Sequence, residues 1–350
     1  MSRRTTSGNT RIQSPFRPTR NITSLVGCAA AAVLVTACAG STTPGSDSAG
    51  GSPKDPGTVT VAYVPGVSNL PYFDTAFRGA VGAAKKYGYK VEYVPVPEYD
   101  ATTQTNALNA ELAARPDFLL LSAVDDVSLR PAVQRYLAAG IPVIAVGGTL
   151  KNSDGLFAQI ATDNYQGGRI AAQALGRQLN GSGTIATLNI APGSATIEDR
   201  VKGFAETMRQ EFPGIKVLDE EYGGGTVPSN QQALRALMLA HPDIDAVFGA
   251  TEVNTEGAAA AVAALGKTGT IRVAGFDASP EQVKQLRAGR IDFLSVSQPA
   301  AQLTQAIDLV HAYLGGDRTA KPLVTVPNVG VTRDNVDDPA TTPLLYTSGN

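Results

Sequence analysis

Histidine, cysteine and tryptophan are nearly missing from this sequence: two, two and none in 350 residues. His241 sits in the turn-like "AHPD" and His311 in an amphipathic stretch. Neither belongs to a cluster with metal-ligand spacing, which argues against a histidine-built metal centre. Cys28 and Cys38 both lie near the amino terminus, so the globular part has no cysteine to cross-link and its stability must come from burial. Catalytic signatures are also missing. No G-x-S-x-G elbow occurs. "GKT" at Gly266 lacks the upstream glycine of a phosphate loop, where Ala261 stands instead. "RDNVDD" at Arg333 lacks the loop glycine and distal glutamate of a calcium site. An enzyme is not expected, and neither is a cofactor or a metal. Basic surface is scarce too: the net charge is −2, and five arginines (Arg3, Arg4, Arg11, Arg17 and Arg20) stand in the first 40 residues without an acid. The remainder is acidic, which argues against nucleic acid as a partner.

What the amino terminus does contain is an export pattern. After the arginines comes the apolar run "LVGCAAAAVLVTA", Leu25 to Ala37. It is too short to span a bilayer and suits the apolar core of a signal peptide. "LVTAC" at its end resembles the lipobox of bacterial lipoproteins, which makes Cys38 the expected lipid attachment; "LVGC" at Cys28 has too little apolar sequence before it. "SRR" at Ser2 hints at twin-arginine export but lies far from the apolar core. Residues 39–57, "AGSTTPGSDSAGGSPKDPG", have a composition that cannot form a core and that suits a flexible tether.

From Thr58 onward, short apolar runs alternate with helical stretches. "TVTVAYV", "KVEYVPV", "FLLLSA" and "PVIAV" are strand-like and nearly continuous, as in parallel sheets covered on both faces. Phe77, Val81 and Ala84 follow helical spacing, and Gly88 can end that helix. The rhythm returns in "TIATLNI", "IKVLDEEY", "DAVFGA" and "IRVAGF". The halves are also alike: "FRGAVGAAKKYGYKVEYV" resembles "VKGFAETMRQEFPGIKVLDEEY", and Gly79/Gly203 and Pro116/Pro242 stand at nearly the same offset. An α/β fold of two similar open parallel-sheet lobes is expected. Ligands of such sheets sit beyond the carboxyl ends of the strands. The candidate segments are "GVSNLPYF", Ser122 to Asp126, Gly147-Gly148, "APGSATIEDR", "TEVN" and Phe276-Asp277.

Taken in order, "PYF", "IATDNYQGG", "VKGF", "VAGFDASP", "VSQP" and "VTRDNVD" resemble the ribose-type periplasmic sugar-binding proteins, type I solute-binding lipoproteins of ABC importers. The resemblance covers residues 58–338. It implies two Rossmann-like lobes joined by a three-crossing hinge, near Thr162-Asp163, Gln298-Pro299 and Val324 to Pro327. Residues 1–37 would be the signal peptide and 38–57 the tether. Residues 58–162 plus 299–325 would form the first lobe, and 163–298 plus 326–345 the second. It also implies a site in which Tyr72, Phe73 and Phe276 are aromatic walls against sugar C–H faces. Asn69, Ser122, Gly147, Thr162, Asn164, Glu198, Thr251, Asp277 and Gln298 complete the expected ligand contacts, most of them polar side chains suited to hydroxyls. Some positions depart from the family pattern. Gly147-Gly148 stands where ribose-type proteins usually present Asp-Arg. Leu70 replaces an expected Asn, although Asn69 is adjacent. Glu198 stands in place of an Arg, and Gly223 to Gly225 where an aromatic is expected. These departures point to a larger, less polar or positively charged ligand, with Glu198 and Asp277 as acidic contacts.

The implied function is capture of a sugar or sugar-like molecule by a monomeric, lipid-anchored protein outside the cytoplasm. The ligand would then pass to an ABC permease. The alternatives are an extracytoplasmic sensor reporting to a membrane receptor or kinase, a repressor-type effector domain and a secreted enzyme. Asp277 is the key polar position. In "SPEQ", Ser279 can cap the next helix, with Pro280 first and Gln282 completing a capping box, so Asp277 is not needed as a cap. Asp277→Ala is expected to abolish ligand-induced stabilisation and to leave the empty fold intact.

Overall fold

The computed structural model describes residues 56–347; the expected signal peptide, Cys38 and the tether lie outside them. The first half runs β1 (Thr60–Val64), α1 (Pro71–Tyr87), β2 (Lys90–Tyr93), α2 (Ala101–Leu112), β3 (Phe118–Leu121), α3 (Arg130–Ala138), β4 (Val143–Gly147) and β5 (Ala158–Thr162). The second runs α4 (Asn164–Gln178), β6 (Gly183–Asn189), α5 (Ala195–Glu211), β7 (Ile215–Tyr222), α6 (Val227–Ala240), β8 (Ile244–Gly249), α7 (Glu252–Ala264), β9 (Arg272–Phe276), α8 (Pro280–Arg287) and β10 (Phe293–Val296). Then come α9 (Pro299–Leu314), β11 (Val324–Val326) and β12 (Val329–Val331). Two six-stranded sheets result, ordered β2-β1-β3-β4-β5-β11 and β7-β6-β8-β9-β10-β12. The orders are the same strand for strand, as two copies of one unit require. Among the described residues all strand pairings are parallel except β10 with β12. The expected fold class is the observed one.

The strands read as buried runs because helices cover both faces. Phe118–Leu121 is buried along its whole length, and separate apolar clusters fill each side of each sheet. The duplicated glycines have one job in each lobe. A methyl on Gly79 of α1 would stand 2.4 Å from the Ala300 carbonyl oxygen of α9; one on Gly203 of α5 would stand 2.1 Å from the Tyr165 carbonyl oxygen of α4. Only a residue without Cβ lets these helix pairs approach so closely. Strand starts are duplicated too. Thr60 N donates to Asp117 Oδ2 and Thr184 N to Asp245 Oδ2, each at 2.9 Å. Gly88 ends α1 in the left-handed conformation, and the capping box of Ser279 and Gln282 starts α8. The sequence reading did not identify β5, β10, β11 and β12 as strands. The last two have only three residues each, below the length at which a pattern shows.

The chain passes between the sheets three times: from β5 into α4, from β10 into α9, and from β11 into β12. Asn328 ties the three strands of this hinge together. Its Nδ2 donates to Asp163 O (2.9 Å), its Oδ1 accepts from Ser297 Oγ (3.1 Å), and its own N–H donates to Gln166 Oε1 (3.0 Å). No described helix is long and apolar enough to cross a membrane.

Candidate functional site

The carboxyl ends of both sheets and the hinge bring a set of buried polar groups together, and Asp277 is at its centre. It follows β9, is 6% exposed, and adopts a left-handed backbone (φ 75°). Asp tolerates that conformation better than most side chains. Its N–H donates to Ser295 O, which fixes the carboxylate at the strand end. Oδ1 accepts from the Tyr346 hydroxyl at 3.0 Å, and Oδ2 lies 3.9 Å from Arg200 Nη1.

Arg200, on α5, is buried and held by several partners. Nε donates to Asn164 Oδ1 (2.9 Å), Nη1 donates to Ala250 O (3.0 Å), and the guanidinium lies 4.2 Å from the centre of the Phe276 ring. A buried guanidinium needs such partners, and the cation over the ring adds to them. Glu198 stands where an Arg was expected, and a guanidinium is present among these groups all the same. Glu198 is exposed and accepts from Gly193 N at 2.8 Å; the guanidinium comes from Arg200, on the next part of the same helix. The signal was in the sequence. Ile197, Arg200 and Phe204 follow 3,4 spacing, so Arg200 is a charge on a buried stripe.

Tyr72 reaches in from the other lobe. Pro71 starts α1, so Tyr72 projects from its first turn, and its ring packs against apolar clusters of both sheets. Gly147, at the end of β4, is shaped around it. The residue has φ +87°, and a Cβ there would lie 3.0 Å from the Tyr72 phenol oxygen. The Tyr72 hydroxyl thus stands where a side chain at 147 would begin, which gives the departure at Gly147 a physical reason. Burial, with the nearby Asp277 carboxylate second, raises the Tyr72 pKa, so the phenol keeps its proton. Between the lobes, a Cβ on Gly148 would lie 3.1 Å from Thr196 Oγ1, so they are close there.

Tyr346 was not foreseen. It comes from the carboxyl-terminal segment and is 3% exposed. Its hydroxyl also reaches Ser297 O (3.1 Å), and its ring meets Tyr72 edge-on at 5.8 Å. Burial and then the Asp277 carboxylate push its pKa up, so it remains a donor. Its N–H donates to Ala278 O in the second lobe. The next residue donates to Thr75 Oγ1 in the first, and Arg78 reaches the Thr347 carbonyl. The tail therefore bridges both lobes. The apolar triplet Leu344-Leu345-Tyr346 in a polar tail was the only sequence hint.

The other expected contacts lie as follows. Thr162 Oγ1 accepts from Gln302 Nε2 (2.8 Å) at the hinge, and Ser122 Oγ is 3.2 Å from the Tyr63 hydroxyl. Thr251 caps α7. Phe276 is fully buried beneath Arg200, so its ring is a support for the guanidinium rather than an open wall. Phe73 is buried in the first-lobe core, edge-on to Tyr72. Asn69 is exposed, with φ 63°. Gln298 donates to Pro327 O at the hinge. Thus Tyr72, Gly147, Asn164 and Asp277 gather about one place, with Thr162 and Ser122 beside it. Asn69 and Glu198 stand apart. Two further residues hold the strand-end loops. Gln104 Nε2 donates to Pro65 O and Ser122 O, and Asn230 Nδ2 donates to Gly224 O and Thr226 O. They occupy matching places in the two halves. Among the described residues no group of acids, histidines and cysteines could hold a metal ion.

Comparison with known proteins gives a consistent result. Residues 61–318 match the family model described as periplasmic binding protein domain. The chain is 26% identical over 258 residues to the ribose import binding protein of Bacillus subtilis, covering 73% of this chain and 81% of that one. It is 25% identical over 279 residues to a D-apiose import binding protein of Paraburkholderia graminis, covering 77% and 88%. Its structure is similar to that of an ABC transporter solute binding protein from Agrobacterium vitis bound with alpha-D-tagatopyranose. The TM-score is 0.79 at 29% identity, over 83% of this chain and 100% of that one.

Proposed function

The chain belongs to the periplasmic binding protein domain family, and from that premise we propose that it captures a sugar or polyol between its lobes and delivers it to an ABC importer. One observation carries the reading. Asp277 Oδ1 holds a hydroxyl, that of Tyr346, whose ring rests against an aromatic of the opposite lobe. A hydroxyl donor on a carbon skeleton against an aromatic ring is what a sugar offers such a site. The relatives named above are import binding proteins for ribose and apiose, and the similar solved structure holds a hexose. They favour import over a sensor role. The family is one of binding proteins, so no catalytic step is assigned.

Within this reading Tyr72, Gly147, Thr162, Asn164, Arg200 and Asp277 face the ligand. The lobes are residues 58–162 plus 299–325 and 163–298 plus 326–345, a division the two sheets support except at Val326, which β11 keeps in the first sheet. Hinge closure lets both lobes bury the ligand. The site lies outside the cytoplasm. A lipid on Cys38 would hold the monomer beside the permease, a reading supported by "LVTAC" and the tether composition.

The test is native mass spectrometry of the purified protein for a carried ligand, followed by calorimetry with D-ribose, D-apiose and D-tagatose. Saturable one-to-one binding of at least one is expected. Binding of none, with no carried sugar or polyol, would refute the proposal.

A further inference from the structure

Glu252 is the first residue of α7, directly after β8, and β8 lies beside β9 in the sheet. It therefore stands next to Asp277 at the carboxyl edge of the second sheet. An acid in the first turn of a helix is ordinarily solvated and ionised, which suits the helix dipole. Glu252 is instead 8% exposed, and its Oε2 meets no hydrogen-bond partner among the described residues. Its neighbour one turn on, Glu256, is engaged with the Ser279 hydroxyl. The cation of the site, Arg200, is committed to Asn164, Ala250 O, the Phe276 face and Asp277. Leaving a buried carboxyl oxygen without a partner is costly. A fold that needed only stability at this position would place an apolar residue or a paired one there.

We propose that Glu252 is a further ligand contact of the cleft, presenting a carboxylic acid O–H to an uncharged ligand oxygen, a hydroxyl or ring ether rather than an ammonium group. The proposal rests on the sugar-capture reading. Burial first, then the charges of Asp277 and Glu256, pushes the Glu252 pKa from 4.5 up to about 9. The group is thus a neutral donor at neutral pH. Asp277 is the adjacent acceptor, so the two acids offer a ligand hydroxyl one donor and one acceptor. The charged or titratable groups acting on Glu252 are Asp277 after β9 and Glu256 on α7.

The sign of the pH effect follows. Raising an acid's folded-state pKa gives stability that is full below the unfolded value and is lost as pH rises toward the folded one. Wild type should therefore lose stability between pH 4.5 and about 9 through this group. Glu252→Met keeps the length and removes the acid. It should melt higher than wild type at about pH 8 and gain less at about pH 5. For whichever of D-ribose, D-apiose or D-tagatose wild type binds, the variant should bind about tenfold more weakly or worse, one buried hydrogen bond's worth. Wild-type affinity should fall between about pH 7 and pH 9.5, and the variant's should not. Equal affinity of variant and wild type would overturn the proposal. So would tighter wild-type binding of D-galactosamine than of D-galactose. A variant that melts lower than wild type at about pH 8 would also overturn it, because Glu252 would then have a structural partner. If wild type binds no sugar, the capture reading fails. The ligand contact then falls with it, whereas a higher melt of the variant at about pH 8 would still show Glu252 to be buried without a partner.

Discussion

The Tyr346 hydroxyl donates to Asp277 Oδ1 across 3.0 Å, joining the carboxyl-terminal tail to the carboxylate at the end of β9. The bond gives Asp277 a partner from within the chain. A ligand hydroxyl that uses the same oxygen has to displace Tyr346. Tyr346→Phe keeps the ring against Tyr72 and removes only the donor. The empty protein should lose about 1.5–3 kcal/mol, because a buried carboxylate oxygen is left unsatisfied. The thermal shift on adding the bound sugar should grow, since the competitor is gone. Melts with and without sugar check both effects. A smaller shift than wild type would show that the phenol contacts the ligand rather than competes with it.

Asp277 needs a more careful substitution than the sequence suggested. Alanine would sit at φ 75°, where an L residue without a polar side chain is strained by about 1 kcal/mol. It would also take one acceptor from Tyr346 and the nearby counter-charge from Arg200. The structure therefore revises the expectation that Asp277→Ala leaves the empty fold intact: its melting temperature should fall. Asp277→Asn tolerates the backbone and can still accept from Tyr346. It should keep most of the stability and lose ligand-induced stabilisation, which a melt with sugar reads directly. Full ligand stabilisation in Asp277→Asn would remove this carboxylate from the site.

Gly147 and Tyr72 should be energetically coupled. Gly147→Ala adds strain at φ +87° and a methyl 3.0 Å from the phenol oxygen. Together these should cost about 1–3 kcal/mol. Tyr72→Phe removes the oxygen that the methyl meets. The double variant should therefore be more stable than the sum of the single changes predicts, by at least about 0.5 kcal/mol. Denaturant unfolding of the four proteins measures this. Strict additivity would mean that the close approach carries no energy.

Arg200→Lys tests the buried cation. Lysine keeps the charge but cannot donate along both Nε and Nη1, nor stack its plane over Phe276. Destabilisation of about 2–4 kcal/mol is expected, approaching the cost of breaking a buried pair. A change below about 0.5 kcal/mol would show that charge alone suffices there.

The fold was legible because it is written in runs. β-branched strands, helical spacing and a repeated half survive any shuffling of surface residues, and each points to covered parallel sheets. Strand-end positions were legible for the same reason, so Asp277, Tyr72 and Gly147 could be named. What stayed hidden depends on contacts between distant segments. Arg200 was visible as a charge on an apolar stripe, but its partners Asn164 and Asp277 come from other elements. Asn328 fastens three hinge strands that only folding brings together. Tyr346 lies in a tail with no period at all. One-to-one matching of positions, which singled out Glu198, ignores which helix face a residue occupies, and Glu198 lies on the exposed one.

The repeated glycines allow the duplication to be tested as a physical statement. Gly79 and Gly203 were paired by offset in the sequence, and the structure gives them the same role, backbone against backbone between two helices. Alanine at either would place a methyl against a carbonyl oxygen, 2.4 Å away at Gly79 and 2.1 Å at Gly203. Main chain cannot turn aside as a side chain can, so the helices must separate, at about 1–3 kcal/mol or more. The damage should be local to one lobe in each case. Hydrogen exchange read by mass spectrometry should show faster exchange in β1 and α9 for Gly79→Ala, and in α4 and β6 for Gly203→Ala. Gly82, one turn along α1 from Gly79, is the control. It is exposed and a methyl there meets nothing within 4 Å. Gly82→Ala should stabilise by about 0.5–1 kcal/mol through helix propensity alone. If Gly79→Ala behaved like Gly82→Ala, the close α1–α9 packing, and with it the equivalence of the two glycines, would be wrong.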